Sequence, residues 1–135
     1  MSDPIDQAKR KEALAVIEAV YGPGTSAPMA TLAHEPYVQT TIDTLFGEVW
    51  NRPHLSIRDR RLLVLGATAM LGRPDLIEFQ VAGAIVNKEL DDNALQEVVL
   101  QLAYYCGWGN ATAVRQGIEA GKKKAQTLLE NKDKA

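Results

Sequence analysis

The sequence predicts an all-α protein on three observations. Apolar residues recur at three- and four-residue steps along most of the chain. No stretch alternates apolar and polar residues as a half-buried strand does, and glycine, proline and capping residues punctuate the periodic segments. At 135 residues the chain is expected to form a single domain spanning 1–135, large enough to bury roughly two-thirds of its unfolded surface around one core.

Six helices follow in order. The first spans 5–21, with Ala13, Val16, Ile17 and Val20 on its apolar side and Lys9, Arg10 and Lys11 toward water, and Gly22-Pro23-Gly24 ends it. The segment to Ala33 has no period and reads as a loop, with Met29 and Leu32 available to tuck against the core and the whole available as a lid. The second helix opens near Pro36, a residue welcome in a first turn, and runs to about Trp50 with Val38, Ile42, Leu45, Phe46 and Val49 as its buried stripe. Pro53 stops it near Asn51, and Ser56 with Asp59 three residues on makes a capping box for the third.

In the third helix Leu62, Leu63, Leu65, Ala69 and Met70 lie in a nearly all-apolar run, which predicts a central helix covered on most sides. Gly66, Ala67 and Ala69 are small enough to let helices approach closely. Pro74 begins the fourth, whose stripe of Ile77, Val81, Ala84 and Ile85 carries Gln80 on its border, an amide that needs partners there. Asp91 or Asp92 caps the fifth, where Leu95, Val98, Val99, Leu102, Ala103 and Cys106 keep helical spacing until Gly107 and Gly109 break it. The last helix is expected from about Asn110 to Leu129, with 130–135 frayed.

The 15 basic and 17 acidic residues nearly cancel, and the basic ones are dispersed apart from Lys122-Lys123-Lys124, so no nucleic-acid surface is expected. Cys106 is the only cysteine, which rules out an internal disulfide and fits a reducing compartment. No apolar signal core and no run near the roughly 20 residues of a membrane span are present, so a cytoplasmic protein is expected. His34 and His54 lack metal-ligand spacing, and no metal site is expected.

Residues Phe46 to Arg61, FGEVWNRPHLSIRDRR, carry the pattern G-E-V-W-x-R-P-x-L-S-x-R-x-R, which resembles the signature of the carboxymuconolactone decarboxylase family. Ala69–Pro74 is similar to that family's inter-helix turn, Gly83-Ala84-Ile85 with Asn87 to its G-A-L-N-N segment, and Glu97–Gly107 to E-V-L-L-Q-x-A-x-Y-C-G. The resemblance covers roughly residues 40–118. It implies an antiparallel helical bundle assembled into a ring-like oligomer, a trimer or hexamer. It also implies a reaction without a cofactor, in which a carboxylated muconolactone loses carbon dioxide.

Three departures bear on that reading. Gln80 stands where the family's decarboxylases carry a histidine, and Gln116 where some carry a second. The family's N-N-G becomes Asn87-Lys88-Glu89, with one extra residue before Leu95. The related alkylhydroperoxidase-D-like branch reduces peroxides with a C-x-x-C pair, and Cys106 has no second cysteine, which disfavours that activity. Cys106 on the apolar stripe reads as a small hydrophobe.

Candidate site residues follow from residue chemistry. Glu97, Gln101, Tyr104 and Trp108 fall at four-, three- and four-residue steps and share one polar and aromatic face, with Tyr105 beside it. They either line a pocket or form an ordinary half-exposed surface. Glu97 is the candidate acid if burial raises its pKa, and Gln80 can orient a substrate. Arg52, Arg58 and Arg60 are candidate bidentate clamps for substrate carboxylates, or else ion-pair partners of Glu48 or Glu78. Glu48 and Trp50 point about 200° apart on an α-helix, so both line one pocket only if the helix has ended at Trp50. His54, beside the signature, is a further acid/base candidate.

Two functions are therefore expected. One is a cofactor-independent enzyme acting on a small carboxylated lactone or dienoate from aromatic breakdown, by decarboxylation, isomerisation or lactone opening. The other is a non-catalytic helical oligomer that keeps a ligand pocket.

Overall fold

A computed structural model describes residues 4–134, which form helices and turns with no strand. The chain divides into two compact units, one ending at Ile57 and the other beginning at Arg58.

In the first unit, α1 (Pro4–Tyr21) packs against a π-helix (Thr41–Val49). Ala13, Ile17 and Val20 on α1 are buried, as are Ile42, Phe46 and Trp50. Phe46 sits between two rings, edge-on to Tyr21 at 5.5 Å and stacked on Trp50 at 6.1 Å. Arg10 does not face water as its neighbours Lys9 and Lys11 do. It is half-buried and forks onto Asp43 through Nε (2.6 Å) and Nη2 (2.8 Å), tying α1 to the π-helix. The expected loop after Gly24 contains a short helix, α2 (Ser26–Thr31), on which Met29 is half-buried while Leu32, just beyond its end, is exposed. Glu18 of α1 holds this connection, its carboxylate accepting from the Gly24 N–H and the Ser26 hydroxyl.

The expected second helix is two elements, α3 (Pro36–Thr40) and the π-helix, and the change of winding reassigns its faces. In an α-helix Ile42, Leu45, Phe46 and Val49 share a stripe, because each residue turns about 100°. The wider π-turn, closed by bonds to the fifth residue such as Trp50 N–H to Leu45 O (2.9 Å), turns each residue less. Positions four apart then stay nearly aligned, while those three and seven apart swing away. Ile42, Phe46 and Trp50 are accordingly buried, and Leu45 and Val49 are exposed.

The second unit holds α4 (Ile57–Met70), α5 (Pro74–Val86), α6 (Asp92–Cys106) and α7 (Trp108–Lys134). Leu65, Ala69, Ile77, Val81, Ala84, Leu90, Leu95, Val114 and Ile118 form one buried cluster, and each such Leu, Ile or Val contributes about 1.5–3 kcal/mol by leaving water. The central helix is α5 and not α4. Ile77 and Gln80 through Ala84 are all buried, whereas Leu63 and Met70 of α4 are exposed. The pairing of α5 with α7 is the most extensive helix contact. A Cβ on Gly117 falls 2.5 Å from Ile77 Cγ2, and one on Gly121 falls 2.7 Å from Val81. Chain numbers rise together along both helices, so this pair is parallel, as helices two apart in an up-and-down bundle are. Gly66, in contrast, has nothing within 4 Å of its Cβ position, so close approach within the chain is built on α7.

Two helix ends share one device. At the end of α4, Gly72 N–H bonds Ala69 O (2.9 Å) and Arg73 N–H bonds Thr68 O (3.3 Å), with Gly72 left-handed at φ 64°. At the end of α5, Lys88 N–H bonds Ile85 O (3.0 Å) and Glu89 N–H bonds Ala84 O (2.8 Å), with Lys88 left-handed at φ 57°. Both are Schellman caps. The left-handed residue at which a glycine is favoured is thus Lys88, one position before the Glu89 set against the family's glycine. Asp91, of the two expected caps, accepts from Ala94 N–H at 2.8 Å. Gly107 ends α6, but Gly109 lies inside α7, which begins at Trp108 and stays helical through Lys134, past the expected frayed end. Ala135 of that tail lies outside the described residues.

Candidate functional site

The fifth-helix pattern places its candidates as the spacing requires. With Leu95 and Ala103 turned into the core, Glu97, Gln101 and Tyr104 lie on the exposed side of α6. Gly107 interrupts the helix for one residue and α7 restarts at Trp108, whose ring meets Tyr104 edge-on at 5.4 Å. Tyr105 lies beside them, also exposed. The result is a shelf with a carboxylate and an amide at one end and three aromatic rings at the other. Trp108 is 64% exposed. Cys106 is half-buried behind the shelf.

A second cluster lies inside the same unit, around a residue that the sequence reading did not single out. Arg61 is fully buried and forks onto Glu89, Nε to Oε1 at 2.6 Å and Nη2 to Oε2 at 2.9 Å. Its Nη1 donates to both the main-chain and the side-chain oxygen of Gln80, each at 3.1 Å. Asn87 Nδ2 adds a bond to Glu89 Oε2 (2.9 Å), and Arg58 Nε reaches the Glu89 main-chain oxygen (3.2 Å). The Schellman cap produces this arrangement, because it turns the chain back after α5 and returns Glu89 over the helix end. Gln80 is therefore buried, and its side-chain oxygen accepts from a guanidinium. No buried side-chain nitrogen or oxygen among the described residues lacks a partner.

The remaining candidates are dispersed between the units. Glu48, Trp50 and Arg52 belong to the first. Trp50 is 7% exposed, rotated by the π-winding onto Phe46 and away from any opening. Arg52 is exposed, and Glu48, also exposed, lines an open groove of about 920 Å³ between α1 and the π-helix with Asp43 and Arg10. In the second unit Arg58 is exposed and Arg60 half-buried, both on the first turn of α4. Gln116, His34 and His54 are exposed. Another groove of about 570 Å³ runs along α5 and α7 past Leu90, Asp91 and Leu129. Neither groove is lined by Gln80, Glu97 or Trp108.

Among the described residues no group of three His, Cys, Asp or Glu side chains is placed to hold a metal ion, and no helix is long and apolar enough to cross a membrane. The sequence model of the carboxymuconolactone decarboxylase family matches residues 35–120, a slightly longer stretch than the motifs alone cover. No curated protein matches the chain.

Proposed function

Because this chain belongs to the carboxymuconolactone decarboxylase family, we propose that it is a cofactor-independent enzyme that binds a small carboxylated lactone or dienoate on the α6 shelf. One observation carries this reading: Glu97, Gln101, Tyr104 and Trp108 share one exposed face with ring contact between the last two. The rings offer a flat apolar wall for an unsaturated lactone, and Glu97, which is exposed in the single chain, is the proposed acid once a second copy covers it. In decarboxylation the bond to the leaving carboxylate breaks, its electron pair stays on the ring carbon, carbon dioxide departs, and the Glu97 proton moves to that carbon before the carboxylate regains one from water. Arg58 and Arg60, on the first turn of α4 in the same unit as the shelf, are the proposed carboxylate clamps. Isomerisation or lactone opening at the same shelf is the variant suggested by Gln80, which cannot exchange protons near neutral pH.

Self-association completes the site in this reading. An exposed shelf is too wet for loss of charge to be favoured, and a second copy of the chain laid over Tyr105 and Trp108 excludes water from Glu97. The family's ring-like assembly, a trimer or hexamer, is the proposed form.

A second reading, a ligand-binding scaffold without catalysis, is favoured by Gln80, which is buried and bonded to Arg61. Turnover separates the two. Incubation with carboxymuconolactone is expected to release carbon dioxide, and Glu97→Gln is expected to lower the rate by about 10²–10⁴. Absence of turnover, with no thermal shift from any muconate-like diacid, contradicts the enzyme and leaves a scaffold for some other ligand. An unaffected Glu97→Gln rate refutes the assignment of the acid.

A further inference from the structure

We propose that Arg61, Gln80 and Asn87 form a carboxylate-binding slot in which the chain's own Glu89 is the resident ligand, and which accepts the carboxylate of a small molecule in its place. Nothing in this depends on the α6 shelf or on decarboxylation.

Three N–H donors converge on two oxygens: Arg61 Nε on Oε1, and Arg61 Nη2 with Asn87 Nδ2 on Oε2. The third guanidinium nitrogen points the other way and is fixed by the two oxygens of Gln80. A guanidinium anchored from behind and presenting its fork forward recognises a carboxylate whatever the group is attached to. The order of burial gives the slot a direction. The Arg61 side chain is 0% exposed and that of Glu89 10%, so the cation is the floor and the carboxylate is the mouth.

The resident ligand is also held on the less stable side. Glu89 follows Lys88, whose left-handed backbone is unfavourable for a residue with a Cβ, and it lies on a turn between helices. Arg61 is anchored in α4. When the Glu89 side chain leaves, the guanidinium keeps Gln80 but loses the Glu89 carboxylate in a buried place. Such a cation is strongly unfavourable until an anion of matching shape replaces the lost one.

Formate, a carboxylate with no attached group, is the probe. Thermal unfolding of Glu89→Ala is measured in sodium formate and in sodium chloride at equal ionic strength. Glu89→Ala is expected to lose about 10 °C in Tm in chloride. Formate is expected to restore part of that loss with a saturable dose dependence, and to do nothing when Arg61→Met is added. Glu89→Gln, in which a neutral amide fills the slot, is expected to be indifferent to formate. If Glu89→Ala does not fold in chloride, recovery of helical circular dichroism on dilution from urea into formate replaces the melting curve. Equal behaviour in formate and chloride by either readout, or a formate response that persists without Arg61, overturns the proposal.

Discussion

Gly66 and Gly117 are both helical glycines, yet a methyl group added to each has opposite consequences. At Gly117 it falls 2.6 Å from Ile77 Cβ and 3.0 Å from the Pro74 main-chain oxygen, neither of which can move aside cheaply. Overpacking of that kind costs about 1–3 kcal/mol. At Gly66 it enters open space and removes the helix penalty of glycine, a gain of roughly 0.5–1 kcal/mol. Urea midpoints should therefore fall for Gly117→Ala and rise for Gly66→Ala, and two shifts of the same sign would contradict the packing of α5 on α7. Glu18 gives a pH-dependent case. The Ser26 hydroxyl, with the Gly24 N–H, holds its carboxyl below the usual glutamate range. A depressed folded value means that the contribution is fully present above the unfolded value, about 4.3, and is lost as pH falls through the folded one. The stability difference between the wild type and Glu18→Gln should be flat at neutral pH and vanish in acid. A difference that grows on acidification would reverse the sign of this linkage.

Helix winding decides more than helix existence does in the first unit. If Thr41–Val49 is a π-helix, Phe46→Ala and Trp50→Ala each lose about 3–5 kcal/mol, while Leu45→Ser and Val49→Ser stay within about 0.5 kcal/mol. A strict α-helix predicts a large loss at Val49 as well, so four chemical-denaturation curves distinguish the two. Most element boundaries were legible, because proline, glycine and aspartate act locally: Pro36 and Pro74 open helices, Gly107 breaks one, and Asp91 caps one. The π-winding was not legible, since Leu45, Phe46, Val49 and Trp50 fit an α-period equally well until the fifth-residue bond is seen. The parallel pairing of α5 and α7 left a trace in Gly117-x-x-x-Gly121-x-x-x-Ala125, a small-residue strip that Ile77 and Val81 fill. Arg61 and Glu89 escaped because they are 28 residues apart, and no local pattern connects a guanidinium on one helix with a carboxylate on the turn that follows the next helix.

At the scale of the whole molecule, the exposed large apolar side chains of the second unit include Leu63, Met70 and Leu71 along and just beyond α4, and Leu100, Tyr104, Tyr105 and Trp108 on α6 and at the start of α7. In the proposed assembly these side chains meet a second copy. Sedimentation should then give a mass several times the 14.8 kDa of one chain, and Tyr105→Glu should lower it; a monomeric wild type at micromolar concentration would remove the second copy from the site. The site residues were legible as a face and not as a cavity, because spacing on one helix fixes which side chains are neighbours but not what lies across from them. The two tryptophans make the location of binding directly measurable, since Trp108 stands at the shelf and Trp50 in the core. A muconate-like diacid is expected to change the intrinsic fluorescence of the wild type and of Trp50→Phe in a saturable way, and to leave Trp108→Phe unchanged. A response that survives in Trp108→Phe and disappears in Trp50→Phe would place the ligand elsewhere and contradict the α6 shelf as the site.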